Sequence, residues 1–449
     1  MGQCALGVCK LISSWNIKMG TTSSRNRLPK QQEDSIGLVS HQVEVDIPSI
    51  KQETYQESSL VKVDITVNTK VNVLTNAPDT KTTHIREETP TIQNSDYEVF
   101  FETLKVSNAS QLLSLPRNLL SLRIKGCESL DVLPNDLFDG LTFLKELELI
   151  DCSSLISIPY PTSLTTLNIR NCRNFELLPS LESRKRLSSI HTLSIGNSCD
   201  SLTTLSLDFF PKLKDLSIRH CPNFLSLNVT GIYTGDLALK SLQVIDCLGF
   251  NSFPDEEFHT PNLNSIILYD CQNLYKFPDF VKSLASLLTL YVVRCPHIES
   301  FSNGGLPSSL TFLSIDNCDK LTSQKDWGLE NLKSLTAFKI RGGCIGMKSF
   351  PEEKLLPKTI TSLCITDLKS LTKLDDKGFQ QLKALLKLEI YYCDVLQHLP
   401  EQGLPSTLVC LNIYGCPMLT PSLKPETGKY WRMVAHIESI IIDNQRVRE

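Results

Sequence analysis

At 449 residues, with 41% hydrophobic and 21% charged residues and a formal net charge of −4, the chain has ample material for a buried core. That balance gives no electrostatic reason to expect nucleic acid or an anionic membrane as the principal partner. No apolar run approaches the roughly 18 residues that a membrane-spanning helix needs, so no transmembrane segment is expected.

Residues 1–95 differ in composition from the rest of the chain. The first thirty carry five positive charges (Lys10, Lys18, Arg25, Arg27, Lys30) and no acidic residue. They open Met1-Gly2-Gln3-Cys4, which admits peripheral membrane association through acylation of Gly2 and Cys4, although Leu6 stands where an N-myristoylation site has Ser or Thr. A hydroxyl-rich, acid-poor head also suits a transit peptide. A polar, largely disordered extension is expected, because the Gln, Thr, Ser, Glu and Lys of residues 31–95 cannot bury enough apolar surface to form a core. One piece inside it, Val61 to Val73, alternates apolar and polar residues as a strand does. It suits covering the open N-terminal edge of the array, or remaining loose.

From residue 96 to 419 one frame repeats. It begins degenerate (Phe101, Leu104, Val106, Ala109, Leu112, Leu115), then settles into units such as Leu310-Thr-Phe-Leu313-Ser-Ile315-Asp-Asn-Cys318-Asp-Lys-Leu321. The Cys318 slot recurs at intervals of 20 to 26 residues, from Cys127 to Cys416, the period of a leucine-rich repeat. The expected fold is therefore an α/β leucine-rich-repeat solenoid, a horseshoe of about fourteen coils with a parallel β-sheet on its concave face. In each strand the apolar pair, here Leu313 and Ile315, faces inward while Ser314 and Asp316 face outward. Cys318 is then expected to turn the chain away, with Leu321 packing beneath. Some returns carry helical spacing, as in Asp376 to Leu385.

Beyond Leu419 the frame stops. Residues 420–449 read as a C-terminal cap: Pro421 and Pro425 break the pattern, residues 427–437 have helix-like spacing, and Ile440–Ile442 suits a last strand.

Ten of the sixteen cysteines occupy the repeated slot (Cys127, Cys152, Cys172, Cys221, Cys247, Cys271, Cys295, Cys318, Cys393, Cys416). A residue recurring once per coil behaves as a small buried hydrophobe, which favours reduced thiols and a cytoplasmic setting.

The Cys-x-x-Leu-x-x-Leu-Pro runs at Cys127–Pro134 and Cys393–Pro400, the units GLPSSLTFLSIDNC and GLPSTLVCLNIYGC, and the exit CPMLTPSLKPETGKYWRMVAHIESIIID carry a resemblance. Together they resemble the repeat region of plant coiled-coil-type nucleotide-binding leucine-rich-repeat disease-resistance proteins. The resemblance implies recognition of a pathogen effector or a host protein, and restraint of a nucleotide-binding domain. No Gly-x-x-x-x-Gly-Lys-Ser/Thr phosphate cradle occurs, so restraint is expected to act on a separate nucleotide-binding receptor chain. A truncated receptor fragment is the bland alternative.

No metal-binding or nucleophile-elbow spacing occurs among the eight histidines and the serines, so neither enzyme activity, nor a cofactor or metal, nor a small-molecule substrate is expected. What remains is surface. Arg219, Tyr269, Tyr291, Arg294, Arg341, Tyr391, Tyr392 and Tyr414 fall on the expected concave face, and Tyr and Arg are the residues enriched at protein-binding hot spots. The expected function is a non-catalytic protein-recognition solenoid in plant defence. Two rivals are a substrate adaptor of a ubiquitin ligase, which wants a helical F-box, and an extracellular receptor domain, which wants a signal peptide and paired cysteine caps; neither pattern is visible.

Overall fold

The computed structural model describes residues 104–106 and 115–448, apart from short loops at 128–130, 135, 179–186, 230–234, 255–258, 302–304 and 322–326. The expectations for Gly2, Cys4, Val61–Val73, Phe101, Ala109 and Leu112 lie outside those residues.

Alternation of apolar and polar residues over five positions produces a strand once per coil. The first eight are β1 (Leu104–Val106), β2 (Ser121–Lys125), β3 (Glu146–Ile150), β4 (Thr166–Arg170), β5 (Thr192–Gly196), β6 (Asp215–Arg219), β7 (Ser241–Ile245) and β8 (Ser265–Tyr269). The rest are β9 (Thr289–Val293), β10 (Phe312–Asp316), β11 (Ala337–Arg341), β12 (Ser362–Thr366), β13 (Lys387–Tyr391), β14 (Cys410–Tyr414), β15 (Ser439–Ile442) and β16 (Gln445–Arg448). They form one 16-stranded sheet in sequence order. Every pair from β1 to β15 is parallel, and only β16 returns antiparallel on β15. The sheet therefore holds one more parallel strand than the fourteen coils expected, because the cap supplies β15.

Register is unbroken among the parallel strands: Leu290 pairs with Leu313, Leu313 with Phe338, and Phe338 with Leu363. A slip of one residue would turn the inward pair of a coil to solvent, and burying each such side chain contributes about 1.5–3 kcal/mol. Leu313, Ile315, Cys318 and Leu321 are all buried as the frame predicts. The core also contains an aromatic spine that the leucine frame does not announce. Phe224 stacks on Phe250 at 5.7 Å, and Trp327 lies between Phe301 at 6.5 Å and Phe338 at 6.4 Å.

Cys318 does not turn the chain. Its predecessor Asn317 does, at φ 49°, and the same left-handed residue follows each strand from β2 to β14. It is Gly126, Asp151, Asn171, Asn197, His220, Asp246, Asp270, Asn317, Gly342, Asp367 or Gly415 in eleven coils, types that tolerate this conformation. Its N–H donates to the strand-end carbonyl of the next coil, as from Asn317 to Arg341 at 2.7 Å, except at Gly415, whose N–H donates to the Asp443 carboxylate at 2.8 Å. The cysteine after it satisfies carbonyls inside: the Cys318 thiol donates to Val292 at 3.6 Å and Asp316 at 3.5 Å. At the fifth coil Ser198 takes that place, its hydroxyl donating to Gly196 and accepting from the Cys172 N–H, both at 2.9 Å. All fourteen cysteines among the described residues are unbridged.

Helix is scarce in the described returns. The expected helical return shortens to α1 (Asp376–Gln380), capped by Asp375, whose carboxylate accepts from the Gly378 N–H at 2.9 Å. In the cap the helical spacing yields a single turn, α2 (Trp431–Val434), after a 3-10 turn over Thr420–Leu423. Leu423, Tyr430, Val434 and Ile437 are buried over the last coil. Asp443 and Asn444, at φ 47° and 62°, then make a two-residue turn into β16. No helix among the described residues is long and apolar enough to cross a membrane.

Candidate functional site

The open face of the sheet presents the first, third and fifth residues of each strand, and the left-handed turn residue borders it. This geometry sorts the eight sequence-predicted residues into three rows. Tyr291 belongs to the middle row, between Ile267 and Ser314. Arg219, Tyr269, Arg341, Tyr391 and Tyr414 end their strands. Arg294 and Tyr392 lie beyond the strands, on the turn row.

Several of them meet. The Arg294 guanidinium lies 4.6 Å from the centre of the Tyr269 ring and is ion-paired with Asp270. Tyr291 packs against Phe312 at 5.0 Å. Tyr392 and Tyr414 meet edge to face at 5.3 Å. Tyr391 is part of a polar chain: its hydroxyl donates to Glu389 at 2.8 Å and accepts from Asn412 at 2.7 Å. Burial, reinforced by that donation to Glu389, pushes the Tyr391 phenol well above its ordinary range. Arg219 is not part of this grouping. It sits on β6, two strands before Tyr269, and donates to Gln243 at 2.7 Å and Ser217 at 2.8 Å.

Arg294 and Tyr392 are the two departures from the Gly, Asp, Asn and His that otherwise hold the turn row. A large side chain without a local hydrogen bond to its own backbone costs about 1–2 kcal/mol in the left-handed region. The fold could be built with Asn at both places, as it is at Asn171 and Asn317. Strain retained where a smaller residue serves is a mark of functional positions.

The centre of the face differs from the sequence expectation. Ser314 and Asp316, read as outward markers, are 3% and 8% exposed. Their row neighbours are Tyr291 and Lys339 beside Ser314, both longer, and Val293 and the longer Arg341 beside Asp316. Burial raises the Asp316 carboxyl above the usual range, partly offset by Arg341, Lys339 and Arg294. The Arg341 guanidinium reaches Asp316 only loosely, at 3.8 Å, and its Nε is buried with no hydrogen-bond partner among the described residues. Phe312, Lys339, Glu389 and Asn412 also belong to this face, and a choice restricted to Tyr and Arg misses them. Their places as first or third strand residues are the signal that finds them.

No protein-family model matches the chain. An Arabidopsis thaliana protein described as a disease resistance protein is 40% identical over 357 residues, covering 79% of this chain and 25% of that protein. Disease resistance protein RPS4B of Arabidopsis thaliana is 29% identical over 231 residues, 51% of this chain and 18% of that protein. The homologues are plant disease resistance proteins. The chain spans about a quarter or less of the length of these two relatives. Among solved structures, a TLR13–ssRNA13 complex is similar with a TM-score of 0.48 at 16% identity, over 75% of this chain and 57% of that one. The repeat solenoid rests on its own sheet topology rather than on that likeness.

Proposed function

We propose that this chain is a non-catalytic protein-recognition solenoid of plant immune-receptor type, binding a pathogen-derived or host protein through the open face of its sheet, the concave face of a leucine-rich-repeat horseshoe. The observation that carries the reading is the strained turn row: Arg294 and Tyr392, large residues in left-handed backbone, pack directly on Tyr269 and Tyr414. Tyr and Arg supply planar area and directed hydrogen bonds at low entropy cost, as hot spots do. Tyr291 and Arg341 extend the patch between them, Tyr391 continues it beside Tyr414, and Arg219 forms an outlying contact. The setting proposed is cytoplasmic. Restraint or activation of a separate nucleotide-binding chain is the corresponding signalling role.

The test is comparative capture from extracts of healthy and infected leaves. The wild-type chain is compared with a Tyr269→Ala/Arg294→Ser/Tyr414→Ala variant and with Lys320→Ala, a change away from the patch. Proteins retained by wild type and Lys320→Ala but depleted about tenfold or more by the patch variant support the reading. Identical capture by all three, with unchanged circular dichroism, overturns it.

A further inference from the structure

Lys333, Lys358 and Lys383 each stand four residues before the start of a strand, before β11, β12 and β13. Those strands are paired in unbroken register, Ala337 with Ser362 and Ser362 with Lys387, so the three lysines are stacked at one position of three successive coils. The equivalent places in the flanking coils are Ser308 and Ser406. Like charges stacked on neighbouring repeats repel, and nothing in the repeat frame requires them.

They line a concavity of about 830 Å³ on the return side of the coils, away from the open face, together with Lys354 and Lys377. Its two carboxylates are engaged: Lys377 pairs with Glu353 at 3.4 Å, and Glu330 accepts from Asn331 at 3.3 Å. Lys333, Lys354, Lys358 and Lys383 have no ion-pair partner among the described residues. Leu356 and Pro357 are the apolar residues of the wall.

We propose that this lysine-lined concavity binds a multiply phosphorylated small anion. Its volume falls within the range of small-ligand sites. Ammonium groups on flexible stems act as point charges that can converge on phosphate oxygens, and five lysines line this wall against two carboxylates. The same chemistry is offered by a free polyphosphate and by a phosphoinositide headgroup.

The experiment titrates the full chain with tripolyphosphate by calorimetry at physiological ionic strength, beside the triple variant Lys333→Gln/Lys358→Gln/Lys383→Gln. Binding that weakens about tenfold or more in the variant is the expected result. The variant melts no lower than wild type, because the change removes repulsion, and tripolyphosphate raises the melting temperature of wild type alone. Vesicles containing phosphatidylinositol bisphosphate identify the source. Recruitment competed by tripolyphosphate assigns a headgroup, and soluble binding without recruitment assigns a free ligand; both support the site. Absence of tripolyphosphate binding overturns it. So does equal affinity for a polyglutamate peptide, which would make the site a dock for acidic polypeptide. The concavity is separate from the sheet face, so failure here leaves the recognition reading untouched.

Discussion

Arg294 reaches back one coil to lie 4.6 Å from the centre of the Tyr269 ring, although its own backbone is held at φ 50°. One coil position thus combines a contact that suits a binding face with a conformation that Asn or Gly would adopt more easily. Tyr392, at φ 56°, makes the corresponding contact one coil forward, against Tyr414. Stability and recognition are set against each other at these two turns.

Replacing Arg294 or Tyr392 by Asn should therefore stabilise the fold while weakening partner capture. Relief of left-handed strain is worth about 1–2 kcal/mol. The lost contacts, the cation–π contact and Asp270 ion pair of Arg294 or the edge-to-face contact of Tyr392, take back about 0.5–1.5 kcal/mol. Chemical denaturation should place each variant at or slightly above wild type; a clear loss of stability would show that the aromatic contact, not the backbone, dominates.

Asp316→Asn should raise stability at neutral pH, and the gain should fade as pH falls. Burial raises the Asp316 carboxyl in the folded state, so folding favours its protonated form. Above the folded-state value the wild type carries a charge that is better solvated when unfolded. Below the ordinary value of 3.8 it is protonated in both states and resembles Asn. Melting curves of both proteins from pH 7 downward measure this, and a widening difference at low pH would contradict it.

Thiol alkylation should divide the described cysteines by their place in the coil. Cys364 and Cys410 lie on the strands' outward positions and are partly exposed, so they should label in the native state. Labelling of Cys364 should be slowed, because burial raises its thiol. Cys344 should be protected, its thiol pushed up to about 11 first by burial and then by Asp319, and Cys318 likewise by burial. Peptide mapping after timed alkylation reads the order directly.

Gly378→Ala should destabilise the chain by about 2–3 kcal/mol. A Cβ there would fall 1.9 Å from the Pro351 carbonyl oxygen, and backbone cannot yield as a side chain does. The neighbouring change Lys377→Ala, on an exposed residue of the same helix, should alter the melting temperature little.

The repeat frame was legible in the sequence because it obeys local rules. Leu313 and Ile315 alternate with polar residues, and the slot cysteine recurs once per coil, so strand, core and solenoid can be read without tertiary information. The left-handed row was written there too, in Asp151, Asn171 and Asn317, but the conspicuous cysteine beside each of them drew the turn to itself. Residue type also marked Tyr and Arg on the open face. Which of them touch was decided by stacking: register sets Arg294 against Tyr269 and leaves Arg219 two strands away, and it buries Ser314 and Asp316 between their row neighbours. The lysines show the same division. A net charge of −4 averages over the whole chain and conceals them. Only parallel pairing in register, which brings residues 25 positions apart to adjacent coils, gathers Lys333, Lys358 and Lys383 into one field.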